Sequence, residues 1–208
     1  MRVLARYVTL IAWIIFVSTL SAAQGPGPGR KTSDNLQTFL DLESSAQTRY
    51  LAFAAKADAE GYGPIGSLFR ALARSEEIHA RNSGALIRER QTAERPQIPP
   101  LVVSSTAENL ELSLQAEKYQ RDVLYAGFLE SARAEGNANV VKFFRSVLIP
   151  ENEHHRLLAE TYRSLQKLAG SNPATFYVCP GCGLASSTLD FENCPCCGEP
   201  TEKFERKA

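Results

Sequence analysis

Four glutamates and two histidines of this chain have the types and the spacing needed to hold two metal ions. They are Glu43, Glu76, His79, Glu117, Glu151 and His154. Each of these histidines follows a glutamate by three positions, so on a helix the imidazole and the carboxylate share one face. Carboxylate oxygens hold and bridge hard cations, while imidazoles bind an ion without adding charge. The alternative interpretation of these glutamates is an ordinary solvated helix surface.

The six residues belong to an internal repeat within 34–170. Glu43 lies 17 residues before Glu60, roughly 26 Å along a helix, and Glu76 lies 15 residues after Gly61, roughly 23 Å back along the next. The second half repeats this arrangement around the turn at Gly136. Two helical hairpins therefore bring four carboxylates to one depth. One Glu from each of two helices, with Glu-x-x-His from each of the other two, is the di-iron pattern of four-helix bundles.

Caps and helix breakers predict the bounds of the helices. We expect helices from Ser33 or Asp34 to about 60, from 64 to about 90, from Ser105 or Thr106 to about 135, and from about 137 to 168, with an extended connection at 91–105. Pro150 falls inside the fourth helix, where it costs about 3 kcal/mol unless a kink or bulge accommodates it.

Tyr50 and Tyr125 share a helix face with Glu43 and Glu117, respectively. A buried tyrosine hydroxyl needs a hydrogen-bond partner, and a ligating carboxylate would serve. The alternative is that both are plain core residues.

The tail at 171–208 contains two Cys-x-x-Cys motifs, Cys179/Cys182 and Cys194/Cys197, which indicate a four-thiolate site. Iron and zinc both suit four thiolates, and so short a segment needs a metal to fold. The alternative is a pair of disulfides. Cys196 is the odd thiol and is not expected to be a ligand.

The first 23 residues have the pattern of a secretory signal peptide. Arg2 and Arg6 precede an apolar run, and the small residues at 21–23 precede a cleavage point before Gln24. We expect an exported, periplasmic protein, or a membrane-anchored one if the segment is not cleaved. Residues 24–33 read as a Gly/Pro-rich linker. Lys+Arg and Asp+Glu are both 23, so there is no basic excess to favour nucleic-acid binding.

Over about 34–204 the chain resembles rubrerythrin, a ferritin-like di-iron bundle followed by a small rubredoxin-like β domain. The resemblance implies that the six residues above hold two iron ions and that the four cysteines hold one iron. It further implies that Tyr50 and Tyr125 contact the iron ligands without binding the iron themselves. It also implies hydrogen peroxide reduction in oxidative-stress defence, with electrons relayed from the tail, usually between subunits of a head-to-tail homodimer. The donor that would supply the tail is unidentified.

The chain departs from the family at Gln120, where rubrerythrins have a second glutamate that lets one iron change ligands. A signal peptide is also unusual in the family. The leading hypothesis is therefore an exported peroxide reductase. The alternatives are a ferritin-like iron oxidase that acts on Fe(II), and a non-catalytic metal-binding module whose tail is a zinc ribbon.

Overall fold

A computed structural model describes residues 32–89 and 96–208. The predicted signal peptide, and the predicted linker apart from its last two residues, lie outside the described residues. The helices are α1 (Thr32–Ala59), α2 (Gly63–Glu89), α3 (Thr106–Tyr119), α4 (Ala126–Ala134) and α5 (Ala138–Leu168). The tail contains strands β1 (Phe176–Val178), β2 (Ala185–Ser186) and β3 (Glu205–Lys207). Within the described residues, no helix is long and apolar enough to cross a membrane.

The helices form a four-membered bundle in which α3 and α4 together make the third member. Two apolar clusters fill it. One contains Tyr50 and Phe53 and continues into the tail through Phe176 and Val178. The other contains Phe39 and Tyr125. The six candidate ligands lie buried in the same interior, so apolar packing rather than solvent surrounds them.

A π-helical turn at Gln120–Tyr125 joins α3 to α4. The sequence predicts one continuous helix here, but it also contains the reason for the turn. Tyr125 follows Glu117 by eight positions, whereas Tyr50 follows Glu43 by seven. A π turn absorbs one extra residue within a helix. The insertion thus leaves Tyr125 fully buried, as Tyr50 is.

Each hairpin begins with a helix whose first amide is bound by a glutamate from the other hairpin. The amide of Thr32 donates to Glu135 Oε1 at 3.0 Å, and the amide of Thr106 donates to Glu60 Oε2 at 2.8 Å. Carboxylates at helix N-termini satisfy free amides and complement the helix dipole. This long-range contact explains why α1 includes residues 32 and 33, which the sequence assigns to the linker.

Helix α5 remains α-helical through Pro150. Proline lacks an amide proton, so the carbonyl of Ser146, four residues earlier, loses its helical partner. Cys196 of the tail donates its thiol to this carbonyl at 3.3 Å. The interruption predicted at Pro150 is thus compensated in part by a contact from another domain.

The tail forms a three-stranded antiparallel sheet in the order β2-β1-β3. It also contains two similar cysteine-bearing turns, the first knuckle at 179–183 and the second knuckle at 194–198. In each knuckle a glycine amide donates to the first cysteine's carbonyl at 2.9 Å, from Gly183 to Cys179 and from Gly198 to Cys194. Both glycines have positive φ, at 82° and 79°, a conformation that glycine adopts without strain.

Candidate metal centres

The six candidate ligands form two overlapping groups in the bundle. The first group consists of Glu43, Glu76, His79 and Glu151, and the second of Glu76, Glu117, Glu151 and His154. Within each group, one donor atom from every residue lies within 4.8 Å of the others. Glu76 and Glu151 belong to both groups. The arrangement therefore suits two cations, with these two carboxylates between them and Glu43 and Glu117 at the ends.

Unpartnered buried atoms test whether this donor set fits metal ions. Oε2 of Glu117, Oε1 of Glu151 and Nδ1 of His154 are buried and have no hydrogen-bond partner. A buried polar atom without a partner costs free energy. Glu117 and His154 belong to the second donor group and Glu151 to both groups, so bound cations would satisfy these atoms. The residues therefore fit the pair of metal ions.

Electrostatics support the same conclusion. Burial raises the pKa of Glu43 well above its usual value, and the Glu76 carboxylate raises it further. Burial followed by the charge of Glu151 has the same effect on the pKa of Glu117. Four carboxyl groups in a dry interior thus repel one another when ionised, and bound cations would remove that repulsion.

The histidines partly offset this excess of negative charge. Burial opposes ionisation of Glu76, but the nearby His154 and His79 outweigh burial and hold the Glu76 pKa well below its usual value. Burial also disfavours the charged form of His79, yet its contacts with Glu151 and Glu76 raise the His79 pKa to about 10. Metal binding here would release the proton from that imidazole.

Two buried tyrosines support the end carboxylates, and the pairing is crossed between the hairpins. Tyr50 on α1 donates to Glu117 of the second hairpin, and Tyr125 donates to Glu43 of the first. Burial, followed by the charge of the bonded carboxylate, raises both tyrosine pKa values well above 10, so both hydroxyls remain donors. The sequence predicts that a carboxylate partner is available, but it does not predict the crossing.

The four cysteines of the tail form the second candidate centre. Sγ of Cys179 lies 3.5 Å from Sγ of Cys197, and Sγ of Cys182 lies 3.6 Å from Sγ of Cys194. Metal–sulfur bonds of about 2.3 Å in a tetrahedron place sulfurs about 3.8 Å apart. Disulfide sulfurs are about 2 Å apart, so the alternative of two disulfides is wrong. Cys196 lies outside this group of four.

The tail docks on α2 through ionic and backbone contacts. Arg74 makes two hydrogen bonds to Glu205, at 2.8 and 2.6 Å. Arg81 donates to the carbonyl of Pro180 at 2.7 Å, and Asn82 donates to that of Gly181 at 2.9 Å. Within one chain, Arg74 thus holds β3, while Arg81 and Asn82 hold the first knuckle beside the metal-binding part of α2.

One hydrogen bond joins the two candidate centres. Nε2 of His79 lies 3.1 Å from the carbonyl oxygen of Cys182. Nδ1 of the same ring lies 2.9 Å from Oε2 of Glu76 and 3.1 Å from Oε1 of Glu151. His79 therefore contacts both a cysteine of the tail centre and two carboxylates of the bundle centre. The sequence does not predict this contact, because the partners are about 100 residues apart.

The contact between Pro150, Ser146 and Cys196 yields a testable prediction. We expect Cys196→Ala to destabilise the docked second knuckle by about 1 kcal/mol, because it leaves the Ser146 carbonyl unpartnered. Hydrogen exchange at the second-knuckle amides measures this local opening. In a Pro150→Ala background, a restored amide satisfies the carbonyl and the cost should fall towards zero. An equal cost in both backgrounds would show that the thiol does not compensate for the proline.

Comparisons with known proteins agree with this geometry. A family model described as Rubrerythrin matches residues 34–162. Rubrerythrin-2 of Clostridium acetobutylicum is 31% identical over 176 residues, which cover 84% of this chain and 95% of that protein. Nigerythrin of Nitratidesulfovibrio vulgaris is 31% identical over 174 residues, which cover 83% of this chain and 85% of that protein.

Solved structures extend the similarity to the whole fold. The fully reduced, all-ferrous state of nigerythrin matches with a TM-score of 0.79 and 28% identity, covering 89% of this chain and 91% of that chain. A bacterioferritin of Desulfovibrio desulfuricans matches in fold alone, with a TM-score of 0.63 and 19% identity, covering 69% of this chain and 89% of that chain. The predicted fold class, a ferritin-like bundle with a small rubredoxin-like tail, is confirmed. The chain belongs to the rubrerythrin family, with a di-iron site in its bundle and a rubredoxin-like iron centre at its four cysteines.

Proposed function

We propose that this protein reduces hydrogen peroxide to water in defence against oxidative stress, with electrons that pass from the tail to the bundle. The hydrogen bond from His79 to the Cys182 carbonyl carries the proposal, because it directly links a cysteine of the four-thiolate group to a candidate metal ligand of the bundle. Each peroxide takes up two electrons and two protons and yields two water molecules. When bound, the two iron ions supply those electrons and stabilise the departing oxygen as Lewis acids.

The protein's own residues hold this site in place. We propose that the six candidate ligands of the bundle bind the two ions, with Glu76 and Glu151 between them. Tyr50 and Tyr125 fix the orientation of the end carboxylates through their hydroxyl groups. The apolar clusters exclude bulk water, which strengthens each of these electrostatic contacts.

A cavity of about 390 Å³ between the tail and the bundle gives a small polar molecule access to this region. Its lining includes His79, Ser146, Cys182 and Cys196, so both domains contribute to it. We propose that hydrogen peroxide approaches the bundle site from this cavity. The contacts around it are made within one chain, so the proposed relay runs within one chain, whereas the family resemblance implies a relay between subunits.

Rapid mixing of the fully reduced protein with hydrogen peroxide or with dioxygen separates this function from the alternatives. A peroxide reductase reacts faster with hydrogen peroxide, whereas an iron oxidase that turns over added Fe(II) is favoured by dioxygen. A zinc ribbon in the tail would give a colourless tail without ferric absorption. Faster oxidation by dioxygen, or zinc in the tail of the native protein, would contradict the proposal.

Gln120 is the residue that favours the iron-oxidase alternative. It is 8% exposed and lies one turn after Glu117 at the start of the π turn. A neutral amide adds no negative charge for ferric ions, and the Cys182 carbonyl holds His79 in position. We therefore propose that His79 stays a ligand in both oxidation states.

We expect Gln120→Glu to raise the rate of peroxide-driven oxidation several-fold, because it supplies the missing carboxylate. Stopped-flow measurement of the reduced protein tests this. Gln115→Glu is the matched control, since it makes the same chemical change at an exposed position of α3. If the Gln120 and Gln115 variants react at the same rate, position 120 does not limit turnover.

We also propose that the protein is exported. The basic start at Arg2 and Arg6 and the small residues at 21–23 support this. Mass spectrometry of the protein from its native cell envelope should find a chain that begins near Gln24. A chain that still begins at Met1 would instead indicate a membrane anchor.

A further inference from the structure

Ser75 lies between the tail and the second donor group. It is fully buried on α2, one position before Glu76. Nε2 of His154 lies 2.8 Å from its Oγ, and its hydroxyl donates to the carbonyl oxygen of Gly183. Ser75 thus contacts a candidate metal ligand of α5 and the backbone of the tail at the same time.

These two contacts assign the position of the proton on His154. A carbonyl oxygen only accepts hydrogen bonds, so the single hydroxyl proton of Ser75 points towards Gly183. Nε2 of His154 must therefore be the donor to Oγ, so Nδ1 is the ring nitrogen left to bind a metal ion. Nδ1 lies 3.1 Å from Oε1 of Glu76 and 4.0 Å from Oε2 of Glu117, within the second donor group. A proton on Nε2 is the arrangement that metal binding through Nδ1 requires.

Both histidines are held in the same way by adjacent residues of one knuckle. Nε2 of His79 faces the Cys182 carbonyl directly, while Nε2 of His154 reaches the Gly183 carbonyl through one hydroxyl. The internal repeat aligns Ser75 with Pro150, which has no hydroxyl. The Ser75 contact therefore belongs to the side of the bundle that faces the tail, and the internal repeat does not account for it.

We propose that Ser75 is a positioning residue that ties His154, and with it the second metal position, to the first knuckle of the tail. The inference rests on the ligand roles proposed above. Outer hydrogen bonds to metal-bound histidines fix the ring and strengthen metal binding. The docked tail thereby stabilises both metal positions, one through His79 and one through Ser75.

Gly183 is the residue of the tail that permits this approach. A Cβ atom at this position would lie 2.8 Å from Nε2 of His79 and 2.8 Å from Oγ of Ser75. Either contact is too short for a real side chain. Gly198 occupies the same place in the second knuckle with nearly the same φ, but a Cβ there would meet nothing within 4 Å. The two glycines therefore share a backbone conformation and a hydrogen bond, but differ in what they face.

The rate of iron loss from the iron-loaded protein to a bipyridyl-type ferrous chelator tests the proposal. We expect Ser75→Ala to release one of the two bundle irons on the order of tenfold faster than the native protein, because His154 loses its outer partner. Hydrogen exchange at the first-knuckle amides should rise as well. Ser67→Ala is the matched control, since Ser67 is equally buried on α2 and bonds only to the Gly63 carbonyl of its own helix, at 3.1 Å. Equal iron release from the Ser75 and Ser67 variants would overturn the proposal.

A second pair of variants tests the same connection from the tail. Gly183→Ala should speed iron release and first-knuckle exchange well beyond Gly198→Ala, although both place alanine at a positive φ. Equal effects of the two substitutions would also overturn the proposal.

Neither iron release nor hydrogen exchange uses peroxide, so the two proposals can fail separately. Unchanged iron release with intact peroxide reduction would refute the role of Ser75 alone, and Ser75-dependent release without peroxide reduction would refute the proposed function alone.

Discussion

Glu76→Ala should remove both iron ions from the bundle while the iron of the tail stays bound. Glu76 belongs to both donor groups, so the substitution takes one ligand from each ion. Glu43 belongs to the first group alone, and we expect Glu43→Ala to retain one bundle iron. Iron analysis of the purified variants, with the optical spectrum of the tail as an internal reference, gives the number of ions in each.

Glu77→Ala is the control for this experiment. Glu77 is the next residue on α2, but its exposed side chain pairs with Arg74 at 2.8 Å and lies outside both donor groups. Its variant should keep two bundle irons. Full bundle iron in Glu76→Ala would reject the assignment of Glu76 as a shared ligand.

Cys179→Ser should have the second large effect, which is the loss of the tail metal and of the folded tail. Apart from residues packed on the bundle, the core of the tail consists of the cysteines and a few apolar side chains such as Leu184 and Phe204. So small a core does not fold without its metal. Burial raises the pKa of Cys194 to about 11, so its thiol stays protonated at neutral pH until a metal ion displaces the proton.

In this variant the bundle should still bind two irons, although it should release them to a chelator faster because the docked tail is lost. Turnover with an external electron donor should fall by at least about 100-fold, because the proposed relay is broken. Cys196→Ser makes the same chemical change at a thiol outside the group of four. It should keep the tail iron. Normal turnover in Cys179→Ser would show that electrons reach the bundle without the tail.

The sequence was sufficient to predict the bundle and its six candidate ligands, because their spacing repeats in two halves. Helical geometry turns that spacing into depth along the bundle. The four cysteines were equally clear, since two Cys-x-x-Cys motifs in a short tail are typical of a four-thiolate metal site. The π turn also has a signal in the sequence, because Tyr125 follows Glu117 by one residue more than Tyr50 follows Glu43.

Contacts between distant segments were not predictable in this way. Three sets of contacts join residues that are far apart in the chain. They are the crossed tyrosine–glutamate bonds, the bonds from the amides of Thr32 and Thr106 to glutamates of the opposite hairpin, and the docking of the tail on α2. Ser75 was not predictable either, because one serine beside a ligand has no distinctive pattern. The one available signal was its alignment with Pro150, where the two halves of the repeat differ.

The most direct test of the proposed relay follows the tail when reduced protein meets hydrogen peroxide. If electrons leave the tail through the bundle, the ferric absorption of the tail should return rapidly in the native protein. In Glu76→Ala, which lacks the bundle irons, the same peroxide should leave the tail reduced over that time. Equal rates of tail oxidation in the two proteins would mean that peroxide attacks the tail directly, and would contradict the proposed relay.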